Sequence, residues 1–283
     1  MSVSCIERRT KLIFHSVWSE VLTSLGSIKS IFSDDDQIAE GLRRFTLKLV
    51  SKATDKIGWD FAPHDDYLTG QLRALLISSA GMAGHESTVA EAKKRFSAYM
   101  SGDKKAIHPS LRSAVFKIAV KTGGQDAFSA VQNEYMTTTS VDGKEITLQA
   151  MGRVTTPDLA TQYLKWSFSG AVATQDLHTP ARALALNSKV RIVVWEFIKE
   201  NWPMVHKRLS GNMVVLERYL RMSLTKFAST EIEQDIHKFF SDKDQKGYDR
   251  GLAVVGDTIK GNARYRKNDE GVIREWLGAK GYF

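Results

Sequence analysis

The histidines are the residues best suited to metal chemistry in this chain, and their spacing decides what they can do. A zinc-peptidase helix needs two histidines four residues apart on one face, with a glutamate beside the first as general base. His85 and Glu86 begin such a pattern, but Val89 occupies the position of the second histidine. The remaining histidines are too scattered to form a local ligand set: His15, His64, His108, His178, His206 and His237. The sequence therefore predicts no zinc site, no other metal and no cofactor.

One segment near the C-terminus begins like a calcium-binding loop. Asp242, Asp244 and Gly247 follow the usual spacing, but Lys246 stands at a ligand position and Ala253 replaces the bidentate glutamate. A cation there would meet a lysine, so we predict a surface turn. Catalytic residues can also be assembled from distant segments, so whether the chain is an enzyme stays open.

Composition and charge exclude several classes of protein. The net charge is +8, but the 40 basic residues are spread along the chain and mixed with 32 acidic ones. A nucleic-acid surface concentrates its basic residues in a stripe, so we expect no nucleic-acid partner. No apolar run approaches the length of a membrane span. The single cysteine, Cys5, cannot form an internal disulfide. This fits a reducing compartment, and we expect a cytoplasmic protein without a membrane partner.

The elements that must position any site are helices. Apolar residues recur at intervals of three and four almost everywhere, and sustained alternation of the kind that predicts strands is missing. One example is the set Ile192, Trp195, Ile198 and Trp202, which predicts one buried helix face. Short helices in succession must bury their apolar faces against one another. The sequence therefore predicts an all-α fold, a curved α-solenoid of helix pairs.

Capping residues predict where several helices begin. Thr156 and Thr179 each precede a proline, which is well tolerated at the first helical position. Thr230 with Glu233 predicts a capping box. The acidic run at residues 33–36 predicts another helix start, because the helix dipole favours negative charge there. The run could also be taken for a metal site, but no further ligand lies near it. Polar residues precede Asp142-Gly143, so we predict a loop there between helices.

Several stretches together resemble the helical C-terminal domain of puromycin-sensitive-type zinc aminopeptidases, including the fungal cytosolic alanine/arginine type. The strongest is the segment 187–202, whose spacing of Asn, Arg, Trp, Phe, Asn and Trp matches the family. Further similar stretches are Lys56-Ile57-Gly58-Trp59-Asp60, Ile107-His108-Pro109-Ser110-Leu111-Arg112, Ala150-Met151-Gly152-Arg153 and Ala173-Thr174-Gln175-Asp176. The similarity covers residues 15–283, which we interpret as a single domain. Residues 1–14 do not match and are interpreted as an extension outside the family.

The resemblance implies a fold and a role. In such enzymes the C-terminal domain is a bowl of HEAT- or armadillo-like helix pairs that closes over the active site and shapes the substrate chamber. The zinc-binding catalytic domain of the family is missing from this sequence, so no aminopeptidase activity is expected from the chain alone. The expected partners are a peptide or small-molecule ligand in the concave face and, if the chain is a fragment, the catalytic domain.

The resemblance also suggests which residues meet a ligand. The candidate binding residues are Arg153, Gln175, Asp176, Arg182, Asn187 and Arg191. The structural alternative is that Arg191 and Asp176 form an ion pair between helices. Four residues depart from the family pattern: Gln149, Arg182, Leu184 and Leu186. Either the concave surface has gained one cation and more apolar bulk, or these are surface substitutions without a functional role.

Two other functions remain open from sequence alone. The chain could be a free-standing, truncated paralogue whose pocket binds a small metabolite, with a metal-free isomerase or cyclase activity. It could also be a scaffold that binds protein partners on its concave face, as helical solenoids often do.

Overall fold

The computed structural model describes residues 15–63 and 65–283. Cys5, His64 and the extension predicted over residues 1–14 lie outside these ranges. Thirteen α-helices follow one another in the described part: α1 (His15–Ile31), α2 (Asp36–Ile57), α3 (Tyr67–Ala83), α4 (Glu86–Met100), α5 (Arg112–Thr137), α6 (Val141–Met151), α7 (Pro157–Trp166), α8 (His178–Ala185), α9 (Arg191–Glu200), α10 (Trp202–Leu209), α11 (Met213–Leu224), α12 (Thr230–Phe240) and α13 (Asp249–Ala279). Residues 15–63 and 65–283 contain no strand, which confirms the all-α prediction.

Shorter helical turns join some of these helices. The segments Pro109–Leu111 and Thr174–Asp176 are 3₁₀ turns, and Ser167–Ala171 is a π turn that follows α7. None of the described helices is both long and apolar enough to cross a bilayer.

Two of the predicted helix starts are confirmed. The hydroxyl of Thr156 accepts a hydrogen bond from the Leu159 amide at 3.4 Å, and Pro157 is the first helical residue. The acidic run at residues 33–36 caps α2 through Asp35, whose carboxylate accepts from the Ile38 amide at 2.9 Å. Both caps satisfy an amide that the first helical turn leaves without a partner.

Two further predictions about helix starts are wrong. Helix α8 begins at His178, so Thr179 lies inside its first turn and not at its cap. Ser229, one residue before the predicted cap, accepts from the Ile232 amide at 3.3 Å. The capping box with Glu233 is therefore not formed.

The predicted loop at Asp142-Gly143 is also wrong. The Ser140 hydroxyl accepts from the Gly143 amide at 3.1 Å, and helix α6 already begins at Val141. A serine cap thus turns a sequence typical of a tight turn into the first turn of a helix.

Two apolar clusters hold the helices together. The larger runs through α3 to α13 and surrounds Trp195, whose side chain is fully buried. The smaller joins the two ends of the described chain: Trp18 and Phe45 come from α1 and α2, whereas Leu277 and Tyr282 come from the end of α13 and beyond. The ends of the helical array are therefore packed against each other and do not stand apart.

The helix face predicted from the segment 192–202 is buried only in part. Trp195 and Ile198 lie in the core, and Trp202 packs partly buried against it. Ile192 is 41% exposed, so its placement in the core was wrong. The position that replaces it inside is Arg191, whose side chain is only 4% exposed.

Candidate functional site

Eight basic side chains form one group, which we call the cationic cluster. They are Lys29, Lys117, Lys121, Arg153, Arg182, Lys189, Arg191 and Lys226. These side chains are contributed by α1, α5, α8, α9 and the connections that follow α6, α8 and α11. After the larger effect of burial, neighbouring positive charges, including that of Arg43, lower the pKa of five members: Lys29, Lys117, Lys121, Arg153 and Lys226.

The cluster combines eight neighbouring cations with a lack of carboxylate partners, whereas several other arginines are paired. Arg73 pairs with Asp65 at 2.8 Å, and Arg95 pairs with Glu91 at 2.7 Å. Within the described residues, no cluster cation has a carboxylate oxygen within 4.0 Å. Buried cations are normally paired, so this surface is left strongly positive.

Lys117 and Lys121 lie one turn apart on the same face of α5. The Nζ of Lys117 donates to the Gln149 Oε1 at 3.1 Å, and that of Lys121 donates to the Met82 carbonyl at 2.5 Å. Both acceptors are neutral. Burial is the first cause that lowers the pKa of each lysine to about 8, and neighbouring cations add to it. A bound anion would compensate both effects.

Arg153 is held in the link between α6 and α7. The Asn187 Nδ2 donates to the carbonyl of Gly152 at 3.0 Å and to that of Val154 at 2.6 Å, on either side of Arg153. The Nε of Arg153 is sealed from solvent and has no hydrogen-bond partner among the described residues. Burial and then Arg182 lower the pKa of this guanidinium. Asn187 therefore positions a half-buried cation whose Nε lacks a partner.

A close backbone contact between Gly152 and Ala183 of α8 also fixes the link between α6 and α7. A side chain at Gly152 would place its Cβ 2.4 Å from the Cβ of Ala183 and 2.6 Å from its carbonyl carbon. Real contacts are never this short, so only glycine lets the end of α6 approach α8. This approach brings Arg153 next to Arg182, which is exposed on α8.

Arg191 ties two distant parts of the chain. Its Nε donates to the Ala185 carbonyl at 2.8 Å, and its Nη2 donates to the Ser30 Oγ at 2.9 Å. Its Nη1 reaches the Ser30 carbonyl at 3.3 Å. The sequence left two roles open for Arg191, contact with a ligand or an ion pair with Asp176. The ion pair is not formed in the part of the chain described, because the hydrogen-bond partners of Arg191 are neutral oxygens.

Gln175 and Asp176 are not joined to the other candidates. Gln175 is exposed, and its backbone carbonyl contacts the Nδ1 of His178 at 2.8 Å. Asp176 is half-buried and raises the pKa of Tyr135, after the larger effect of burial. Across the described ranges, no hydrogen bond or ion pair connects either side chain to the cationic cluster.

Of the six candidate residues, the structure thus brings together Arg153, Arg182, Asn187 and Arg191. Sequence reasoning missed the lysines of the cluster, which occur from Lys29 to Lys226. The only local signal was the pair Lys117 and Lys121, since like charges four residues apart destabilise a helix. Of the departures from the family pattern, Gln149 and Arg182 do border the cluster, whereas Leu184 is fully buried in the core.

No group of three or more histidine, cysteine, aspartate or glutamate side chains in the described residues is arranged to hold a metal ion.

Comparison with known proteins decides the family. Residues 15–261 match the family described as ERAP1-like C-terminal domain. The chain belongs to this family. The resemblance seen in the sequence is thereby confirmed, and the ERAP1-like C-terminal domain is the helical part of M1 aminopeptidases.

The curated relatives are aminopeptidases of greater length. Aminopeptidase 2 of Candida albicans is 32% identical over 268 residues, which cover 94% of this chain and 29% of that protein. Alanine/arginine aminopeptidase of Saccharomyces cerevisiae is 31% identical, over 92% of this chain and 31% of that protein. Human glutamyl aminopeptidase is 24% identical, over 92% and 27%. The chain therefore spans about three tenths of the length of the relatives it matches.

Proposed function

We propose that this chain is the chamber-forming, peptide-accommodating domain of an aminopeptidase and is not catalytic by itself. Its relatives are named as aminopeptidases, and the chain corresponds to about three tenths of their length. In this proposal the helices form a curved stack of HEAT-like pairs. The cationic cluster lies on the inner surface of the stack and faces the peptide.

The unpartnered guanidinium of Arg153 carries this proposal. A buried cation without a partner is costly, and a carboxylate is the group that best compensates it. Lys117 adds a second donor beside it, because the two side chains are close enough for Arg153 to lower the pKa of Lys117. A peptide whose N-terminus is in the catalytic domain would bring its C-terminal carboxylate or an acidic side chain to this surface.

Peptide binding to the chain tests the proposal. We expect fluorescence anisotropy to show saturable binding of a labelled ten-residue peptide with a free C-terminal carboxylate. The same peptide with an amidated C-terminus should bind at least tenfold more weakly. Arg153→Gln and Lys117→Met should reduce the difference between the two peptides, because each removes a cation beside the proposed carboxylate position.

A matched control separates this site from general attraction by a positively charged protein. Lys207 is exposed on α10, which contributes no residue to the cluster, and Lys207→Gln removes the same single charge. The Lys207→Gln variant should bind the peptide acid and the peptide amide with the same affinities as the parent chain. Equal binding of the acid and the amide, or an equal loss in all three variants, would refute the proposed role of the cluster.

A further inference from the structure

A cleft of about 380 Å³ lies between α1, α8, α11 and α13, at one end of the cationic cluster. Its polar lining includes Ser30, Arg182 and Lys226, and its apolar lining includes Ile31, Met222 and Val254. Small-molecule sites typically combine an apolar wall with a few converging polar groups, and they are of this size.

The polar side offers hydrogen-bond donors. Arg191 donates to both the Oγ and the carbonyl of Ser30 from behind the cleft. The Ser30 hydroxyl accepts from Arg191, which leaves its own hydrogen to donate. Arg182 and Lys226 can only donate, and neither has a hydrogen bond or ion pair within the described residues.

The charge at the cleft is uncompensated. No aspartate or glutamate lines it, and the one other cation on its wall, Arg221, is paired with Glu217 at 3.0 Å. Burial lowers the pKa of Lys226, and the charges of Arg191 and Arg182 lower it further. An occupant of this cleft therefore meets two free cations, with a third directly behind Ser30.

We propose that this cleft binds a small organic phosphate monoester, with the phosphate between Arg182, Lys226 and the Ser30 hydroxyl and the organic part against Ile31, Met222 and Val254. A phosphate monoester is close to a dianion at neutral pH and carries three strong acceptor oxygens. Two free cations and one hydroxyl from different walls match that charge and that number of acceptors. A single carboxylate would neutralise only one of the cations.

This inference goes beyond the proposed peptide role, because it concerns a second ligand at a different end of the cluster. The residues used to test the peptide role, Arg153 and Lys117, do not line the cleft. The two proposals can therefore fail separately.

Isothermal titration calorimetry of the whole chain with three probes at fixed ionic strength tests the inference. Phenyl phosphate carries both the dianion and an apolar ring, inorganic phosphate lacks the ring, and phenylacetate carries the ring with a single negative charge. We expect saturable 1:1 binding of phenyl phosphate, at least tenfold tighter than either of the others. Arg182→Gln and Lys226→Gln should each weaken phenyl phosphate at least tenfold, and the exposed-site control Lys207→Gln should have no effect.

Each other outcome has a definite meaning. Phenylacetate binding as tightly as phenyl phosphate, or an equal loss in Lys207→Gln, would overturn the inference. A phosphoserine peptide serves as a fourth probe, and its saturable binding without binding of phenyl phosphate would also overturn the inference, because the ligand would then be a protein. Melting curves of the variants ensure that lost binding is not lost folding. The chain could bind phenyl phosphate as expected and yet bind the peptide acid and the peptide amide equally well. That result would support this inference and refute the peptide role.

Discussion

At the scale of single residues, the decisive feature is where the protein leaves charge unpaired. Several of its arginines are held by carboxylates, as Arg95 is by Glu91 at 2.7 Å. Among the described residues, no carboxylate lies within ion-pair distance of the cationic cluster. Because the clustered, half-buried cations repel one another and lose hydration, they should lower the free energy of unfolding by a measurable amount.

Lys117→Met should make this cost visible. The pKa of Lys117 in the folded protein is lowered to about 8, mainly by burial. Between about pH 8 and its ordinary pKa, the unfolded chain binds more protons at this position than the folded protein does. The free energy of unfolding therefore rises as the pH rises through this window. The variant removes the charge and keeps the apolar stem of the side chain.

We expect Lys117→Met to raise the free energy of unfolding at pH 7, by on the order of 1 kcal/mol. It should also flatten the rise in stability above pH 8. Urea titrations between pH 7 and 10 measure both effects, with the exposed Lys207→Met as the control. A variant less stable than the parent at pH 7 would contradict the account of Lys117 as a destabilising charge.

Arg191 should behave as a structural tie. Arg191→Ala removes the donors to the Ala185 and Ser30 carbonyls and should lower the free energy of unfolding by roughly 2–4 kcal/mol. Arg191→Lys should recover only part of this loss, because an ammonium on a flexible stem cannot reproduce the fork of a guanidinium. Chemical denaturation of the parent and the two variants tests the expected order of stability, in which Arg191→Lys lies between the parent and Arg191→Ala. Full recovery by lysine would show that the charge matters and the geometry does not.

At the scale of helices, contact distances explain why the segment from Ala150 to Arg153 has this sequence. Gly152 allows α6 to approach α8, and Asn187 then fixes the carbonyls on both sides of Arg153. These residues seemed separate in the sequence, but together they place one guanidinium. Asn187 and Gly152 are thus positioning residues for the site.

Two glycine-to-alanine changes should have opposite signs. Gly152→Ala would place a Cβ 2.6 Å from the backbone of Ala183 and should destabilise the protein strongly, because backbone cannot rotate away. Gly261 lies inside α13 with no atom within 4 Å of the added Cβ. Gly261→Ala should stabilise the protein by up to about 1 kcal/mol through helix propensity. Thermal unfolding of both variants measures the contrast, and stabilisation by Gly152→Ala would refute the close approach.

The sequence predicted helices better than it predicted their ends. Periodicity and the Thr156-Pro157 start were sufficient for the fold class. The cap of α12 was misplaced by one residue because Ser229 and Thr230 are both capping residues, and only tertiary packing chooses between them. At Asp142-Gly143, the cap supplied by Ser140 overrides a dipeptide that usually turns the chain.

Most of the candidate site could not be predicted from the sequence, because its residues are far apart along the chain. Its cations come from segments as distant as Lys29 and Lys226, and no local pattern connects them. Arg191 was singled out by its place in a family motif, but its partner Ser30 lies 161 residues away. Such pairings depend on the path of the whole chain.

At the scale of the whole molecule, the first and last described helices share one core. Leu277 of α13 is fully buried in the smaller cluster. Gly41 of α2 faces it so closely that an added Cβ would lie 3.0 Å from the Leu277 Cδ1. The N-terminal helices therefore depend on the far end of the chain for part of their burial.

Leu277→Ala should reveal this dependence. We expect a loss of about 2–5 kcal/mol, the usual range for removing a buried leucine side chain. Amide hydrogen exchange should accelerate in α1 and α2 as well as at the end of α13. Val272→Ala in the same helix is the control, because Val272 is 66% exposed. Faster exchange confined to α13 would contradict a shared core.

The shared core also sets an order of events on the ribosome. Helices α1 and α2 leave the exit tunnel more than two hundred residues before Leu277 and Tyr282. At about 5–20 residues per second, the apolar faces of α1 and α2 wait roughly 10–50 s for their partners. During that time they are available to chaperones or to other nascent chains. Helices α1 and α2 thus complete their burial only when the end of α13 has been made.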